Sequence, residues 1–384
     1  MSKILVATLP KTSDGNDPND NRDDTNYLLG VEIKEPVSAL DSLLALSSTN
    51  RLTEMEANLK NDVYVFQDLA LSGQITLFYG WPNTGKTIFF LRFITDAIRD
   101  GRIQAGKVVY VNADDSYKGL FTKTKVAAEY GFHMVSPAES GESPQEILDR
   151  LENIAKANQA DGIVILLDTL KKFADMMSKR SQADLYLILR KLIAKGGTVI
   201  IAGHANKHKD VEGNLIYEGT SDTMNDIDCA YSMYRMSKPD DEVQVVEFRR
   251  EKDRGDVIPK VTYQYQKGIP YLEMVKSITC LDAEVADKLI QQERHRELKE
   301  KYEAELLFVT ELLRVNNSIN QTAILEALKK DTDLSGEITI RSLRSALNQL
   351  DGIAWTSKRG TKNAKTYALI GHEASQYSRA TRGE

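Results

Sequence analysis

Between Gly73 and Leu272, apolar runs of β type alternate with stretches of helical period. The β-type runs are Ile75–Tyr79, Val108–Val111, Ile163–Leu167 and Thr198–Ala202. Ile88–Arg99 and Tyr117–Tyr130 carry helical spacing and stop at Gly101 and Gly131. A third helix opens at Ser143-Pro144-Gln145-Glu146, a capping box with proline at the first helical position. A fourth, Ala183–Ala194, is closed by Gly196. Such alternation predicts an α/β fold, a mostly parallel sheet covered by helices on both faces. Cys229–Met236, Val243–Phe248 and Lys260–Gln266 read as further strands with hairpin-type connections.

The pattern changes at both ends. Lys11–Thr25, KTSDGNDPNDNRDDT, has no apolar period and is expected to be disordered. Asp282–Val315 is rich in Glu, Lys, Arg and Leu and reads as one long helix or two joined ones. Glu303–Val315, Gln321–Lys330 and Thr339–Leu350 are helical patterns. Ile353–Ser357 and Thr366–Ile370 are β-like runs around a basic turn. Three helices and a hairpin are the plan of a winged helix. The expected organisation is a disordered segment over residues 1–34, a sheet domain over 35–278, a helical linker over 279–302, a winged helix over 303–371 and a loose tail over 372–384.

Composition adds limits. The 384 residues are 41% hydrophobic and 28% charged, an ordinary globular balance that supports one large domain and a smaller one. No apolar run approaches the roughly 18 residues of a membrane span, and MSKILVATLP is too short and weakly apolar for a secretory signal. Cys229 and Cys280 form neither a disulfide framework nor a zinc pattern, so a reducing cytoplasm is expected. A net charge of −6 argues against a uniformly basic nucleic-acid coat and leaves local basic surfaces to be sought.

The sharpest motif is Gly80-Trp81-Pro82-Asn83-Thr84-Gly85-Lys86-Thr87, which fits G-x-x-x-x-G-K-[ST] between a strand and a helix. Glycines let backbone N–H groups curl around phosphate, and the helix N-terminus adds positive potential. Lys86 is expected to reach the β- and γ-phosphates of ATP, and Thr87 to ligate Mg²⁺. Asp168 ends an apolar strand and is suited to hold a water on that Mg²⁺. Asp114 and Asp115 end another strand. Asp114 is the expected activator of the attacking water, and Asp115 or Ser116 a cap for the next helix. After Ala202, His204 or Asn206 is placed to contact the γ-phosphate, with His204 preferred. His204 and His208 have no acidic or cysteine partner spaced for a metal site.

The motifs GWPNTGKT, VYVNADD, GIVILLDTLKKF, VIIAGHANK, YEGTSDTMNDIDCAYSM and EFRREKDRGD, in that order, resemble the RecA-like ATPases, and within them the RepA- and DnaB-type hexameric replicative helicases. The resemblance covers roughly residues 40–274. It implies a RecA-like sheet domain and a homo-hexameric ring with ATP between subunits. It also implies Asp114 as the water activator, His204 and Lys207 as a His-x-x-Lys element, and Lys252 and Arg254 as cations completing a neighbour's site. Some relatives carry an arginine where this chain has Asp226 to Tyr231; Arg249 and Arg250 are the alternatives to Arg254.

For DNA, the run after Asp168 offers Lys171, Lys172, Lys179 and Arg180, and the loop after His204 offers Lys207 and Lys209. Ile340, Leu343, Leu347 and Leu350 share one helical face, leaving Arg341, Arg344, Ser345 and Asn348 largely to the remaining surface of a recognition-type helix. The wing would contribute Lys358, Arg359, Lys362 and Lys365. The leading expectation is an ATP-driven DNA helicase or translocase of a plasmid, phage or mobile element. It would act on single-stranded DNA and on duplex DNA, with a replication initiator or primase as further partners and no membrane. The alternative is a RecA-like ATPase that loads or initiates without unwinding.

Overall fold

Period-two alternation in the central strands sends successive side chains to two different cores. Phe78, Val164, Leu166, Ile200 and Ala202 belong to one; Leu77, Tyr79, Ile165, Leu167, Val199 and Ile201 belong to the other. Strands buried on both faces read as continuous apolar runs, which is why the sequence displays them so clearly. The computed structural model describes residues 38–57, 63–210, 212–219, 221–238, 240–331, 337–360 and 364–370. The expected disordered segment and tail lie outside these residues. The chain divides into two units, residues 1–61 and 62–384.

In the first unit, Ser38 caps the helix Ala39–Leu44 by accepting from the Asp41 amide at 3.0 Å. The helix Leu52–Ala57 follows a short 3-10 turn.

The second unit is built on a sheet of ten strands among the described residues. Its central order is Cys229–Arg235, Ile75–Gly80, Thr198–Lys209, Val164–Asp168, Val108–Asn112 and His133–Val135, all parallel. Val243–Lys252, Lys260–Gln266 and Thr279–Cys280 extend the other edge antiparallel. Helices Lys86–Arg99 and Tyr117–Tyr130 bury residues in the first core; Pro144–Lys156 and Lys179–Ile193 do so in the second. The predicted capping box is present, with the Ser143 hydroxyl accepting from the Glu146 amide at 3.2 Å.

Several strands differ from expectation: Val243–Lys252 runs past Phe248 to take in Lys252, Trp355–Arg359 takes in Lys358 and Arg359 that the pattern places in the turn, and His133–Val135 is not among the expected strands. Thr198–Lys209 continues well past Ala202, because Leu215–Tyr217 folds back and pairs antiparallel with its second half. Lys207 and Lys209 therefore lie on a strand and not in a loop. The alternation of polar residues there hides a β pattern that only the hairpin partner stabilises.

Residues 303–370 carry a third core around Trp355 and Tyr367, both fully buried. Helices Glu303–Asn316, Gln321–Lys330 and Ile340–Gln349 flank a three-stranded antiparallel sheet ordered Ile319–Asn320, Lys365–Leu369, Trp355–Arg359. The arrangement resembles a winged helix. Leu343, Leu347 and Leu350 are buried as expected, but Ile340 is exposed because it begins the helix directly after its Thr339 cap. Ser345 faces inward and shares a 2.7 Å hydrogen bond with the Tyr302 hydroxyl, so it does not join Arg341, Arg344 and Asn348 on the outer surface.

Candidate functional site

The motif at residues 80–87 forms the turn from the central strand into the helix Lys86–Arg99. Gly80 ends the strand where a Cβ would stand 2.8 Å from the Met233 carbonyl oxygen, so no side chain fits. Gly85 caps the helix at φ 96°, a left-handed conformation that glycine adopts without strain. The Thr84 hydroxyl donates to the Trp81 carbonyl at 2.6 Å and closes the turn. The Trp81 indole N–H donates to the Asn206 carbonyl at 2.8 Å, and the Lys209 ammonium lies 5.3 Å from the indole centroid. Beneath the loop, Phe89 and Phe90 pack edge-on against Phe248 and Phe78, at 5.1 and 5.4 Å between centroids. That aromatic packing anchors the helix whose first turn carries Lys86 and Thr87.

Lys86 is buried and its ammonium donates to the carbonyls of Gly80 and Trp81 at 3.0 and 3.1 Å. Burial pushes its pKa down to about 8, against the attraction of Asp168. Asp168 is buried at the carboxyl end of its strand, in register with Asn112 and Ala202. Its Oδ2 accepts from the Thr87 hydroxyl and from the Tyr110 hydroxyl, each at 2.7 Å. Burial, reinforced by the Asp168 charge, drives the Tyr110 phenol well above its ordinary range, so it stays a donor.

Asp114 lies half-exposed in the loop beyond the next strand, 3.4 Å from the Lys172 ammonium. Asp115 does not cap the following helix: its carboxylate bonds to the Asn112 amide and the Lys123 ammonium. Ser116 occupies the N-cap position but makes no side-chain capping bond. His204 pairs in register with Gly80, which brings it beside the phosphate loop. Its Nε2 is buried and has no hydrogen-bond partner among the described residues. Burial and the nearby Lys86 and Lys171 charges lower its pKa, favouring neutral imidazole. Asn206 points its amide toward the Tyr217 carbonyl at 3.5 Å and is not part of the cavity wall.

These groups share one cavity of about 620 Å³. Its lining includes Pro82 to Thr87, Asp114, Asp168 and His204, together with Arg235, Gln244, Tyr265 and Tyr271. The site thus contains groups the sequence reading missed. Tyr110 reads as an ordinary core residue of a β run, and Lys123 as one cation on a solvated helix. Tyr265 and Tyr271 come from strands and helices far along the chain, and no local spacing ties them to the motif.

The candidate trans pair lies elsewhere. The Arg254 carbonyl accepts from the Gln74 side chain, and its guanidinium meets the buried Asp228 at 3.1 Å. Asp228 also holds Arg190 at 2.8 Å and the Ile75 amide at 2.9 Å. Ile75 begins the strand that Gly80 ends, so the Arg254–Asp228 pair and the phosphate loop lie at opposite ends of a strand about 17 Å long, at about 3.3 Å per residue. Lys252 donates to the Met224 and Asn225 carbonyls at 2.5 and 3.0 Å. Burial and the Arg254 charge lower its pKa.

Among the DNA candidates, Lys171, Lys172, Lys207, Arg341, Arg344, Lys358 and Arg359 are exposed. Lys209 is half-buried and ion-paired at 3.2 Å with Glu297 of the helix Ala283–Lys301. Lys365 bonds Asn348 at 3.2 Å, joining wing to helix. Lys362 lies outside the described residues.

A family model described as an AAA domain matches residues 53–210, which takes in the phosphate loop, Asp114, Asp168 and His204. A P-loop ATPase domain of the AAA class is present over that span. No curated protein matches the sequence.

The residues fit a nucleotide with Mg²⁺. Thr87 and Asp168 are hard oxygen donors side by side, joined by a 2.7 Å hydrogen bond. That suits an ion which keeps waters and takes its remaining oxygens from phosphate. His204 lines the same cavity, and its buried Nε2 has no hydrogen-bond partner among the described residues.

Proposed function

We propose that this protein is an ATP-driven DNA helicase or translocase that assembles as a homo-hexameric ring and serves replication of a plasmid, phage or mobile element. The observation that carries the ring is the position of Arg254. It lies at the opposite end of the strand from its own phosphate loop, so it can complete a site only in a neighbouring copy. Charge grows on the transferred phosphoryl group, and a cation delivered in trans stabilises it.

In this reading the amides of residues 83–87 and Lys86 hold the phosphates. Thr87 and Asp168 orient Mg²⁺, which would neutralise charge on the β- and γ-oxygens. Asp114 accepts the proton of the attacking water, and His204 contacts the γ-phosphate. The Lys172–Asp114 ion pair supports coupling to DNA. A DNA phosphate that draws Lys172 away releases Asp114 for catalysis. Exposed Lys171 and Lys207 extend the basic track, and Arg341, Arg344, Lys358 and Arg359 give the winged-helix-like part a duplex-binding surface. That surface also favours a second reading, a loader that places itself on duplex DNA without unwinding it. A replication initiator or primase is the expected protein partner.

The test is the ATPase rate with and without single-stranded DNA, read beside the oligomeric mass and a strand-separation assay. Stimulation by single-stranded DNA, a hexamer and unwinding are expected. Hydrolysis indifferent to DNA, with no strand separation, would sink the helicase reading. Site-specific duplex binding without unwinding would select the loader.

A further inference from the structure

We propose that Tyr110 is a positioning residue of the ATPase site, fixing the Asp168 carboxylate so that one oxygen is fully engaged and the other is turned to the magnesium side. The inference rests on the reading of Asp168 as the acid that holds Mg²⁺ through water.

A carboxylate oxygen offers two lone-pair directions. At Asp168 Oδ2 both are taken, by the hydroxyls of Thr87 and Tyr110 at 2.7 Å each. Neither donor is free to wander. Tyr110 is fully buried within the core beneath the sheet, and its strand pairs directly with that of Asp168. The Ala113 amide also donates to the Asp168 carbonyl at 2.7 Å, locking the two strand ends together. The consequence for Asp168 is orientational. With Oδ2 held from both sides, rotation of the carboxylate would break two charge-assisted hydrogen bonds. The consequence for Thr87 is similar: its proton is committed to Asp168, so its lone pairs are left for the ion.

Removing only the phenolic oxygen keeps the packing and leaves one lone pair of a buried charge unpaired. The test compares the full chain with Tyr110→Phe. ADP affinity is measured by calorimetry across a magnesium series, alongside steady-state ATPase over the same series. The expected result is unchanged ADP affinity without magnesium and a magnesium requirement raised about tenfold or more, the scale of one lost hydrogen bond to a charged group. The ATPase kcat falls while the KM for ATP at saturating magnesium stays near that of the wild type. A merely structural tyrosine would alter thermal stability and leave the magnesium dependence in place, and that outcome overturns the proposal.

If Tyr110→Phe does not fold, Tyr110→Phe with Asp168→Asn decides. A double variant that folds shows that the phenol serves the Asp168 charge; a double variant that also fails shows that the phenol serves the fold independently of that charge and overturns the proposal. A wild-type chain whose nucleotide affinity ignores magnesium overturns the underlying reading as well, and is recognised without any variant.

Discussion

Lys86 is held in the fold at a measurable cost to stability. Its pKa is lowered from 10.5 to about 8 by burial, which the attraction of Asp168 and Asp114 only partly offsets. In the unfolded chain the ordinary value applies. Below pH 8 the ammonium is charged in both states, and the folded state carries the whole penalty. The shift of roughly 2.5 units corresponds to about 3 kcal/mol. Between pH 8 and 10.5 the unfolded state binds more protons, so stability rises with pH as the penalty fades. Lys86→Met removes the charge and also removes two hydrogen bonds to the Gly80 and Trp81 carbonyls. Those bonds contribute about 1 kcal/mol each with little pH dependence, because a neutral amine still donates. The variant is therefore expected to be about 1 kcal/mol more stable than wild type at pH 7 and, after a change of about 2 kcal/mol, about 1 kcal/mol less stable by pH 9.5. Urea unfolding of both proteins at the two pH values, followed by the sheet-domain transition, measures this directly. A difference between the proteins that stays constant from pH 7 to 9.5 would refute the argument. Nucleotide binding has the opposite sign. Phosphate restores the charged form, so affinity for ATP is full below pH 8 and weakens by up to about tenfold per unit above it.

Three further outcomes follow from the same geometry. Lys172→Ala deletes the partner of Asp114, so ATPase activity without DNA should rise several-fold while stimulation by single-stranded DNA shrinks, as read in a coupled phosphate-release assay. Trp355→Ala empties the centre of the third core and should cost about 3–5 kcal/mol in that part alone, abolishing its melting transition while ADP binding persists in calorimetry. Replacing Lys358 and Arg359 by alanine should weaken duplex binding at every sequence and reduce the slope of log affinity against log salt by about 2 in a polarisation titration.

Much of the architecture is visible in the residues because the central strands are buried on both faces and the helices end at glycines. Tyr117–Tyr130 and Lys260–Gln266 have the bounds their patterns imply. What the sequence hides are elements that depend on a distant partner. The second half of Thr198–Lys209 looks polar and loop-like until Leu215–Tyr217 pairs with it. Ile319–Asn320 is too short to read as a strand, yet it completes the sheet beside Lys365–Leu369. At the site, Lys86, Thr87, Asp168 and His204 are legible because each sits at a strand end or in a loop of fixed chemistry, and the fold brings them to one cavity. Tyr110 and Lys123 are not legible, since their roles arise from neighbours across strands and turns and not from spacing along the chain. The Asx-type cap expected from Asp115 fails for the same reason, because a lysine two turns into the helix competes for its carboxylate.

Trp81 has an optical consequence. The chain has two tryptophans, and Trp355 is sealed in a core with its N–H fixed on the Leu347 carbonyl. Trp81 sits in the phosphate loop, tethered to Asn206 and overlain by the Lys209 ammonium, which in turn grips Glu297 on the helix that leads toward the winged-helix-like part. Its emission is therefore tuned by the charge above its ring, while that of Trp355 supplies a constant background. A stopped-flow fluorimeter reading the unlabelled protein can follow the loop filling with nucleotide.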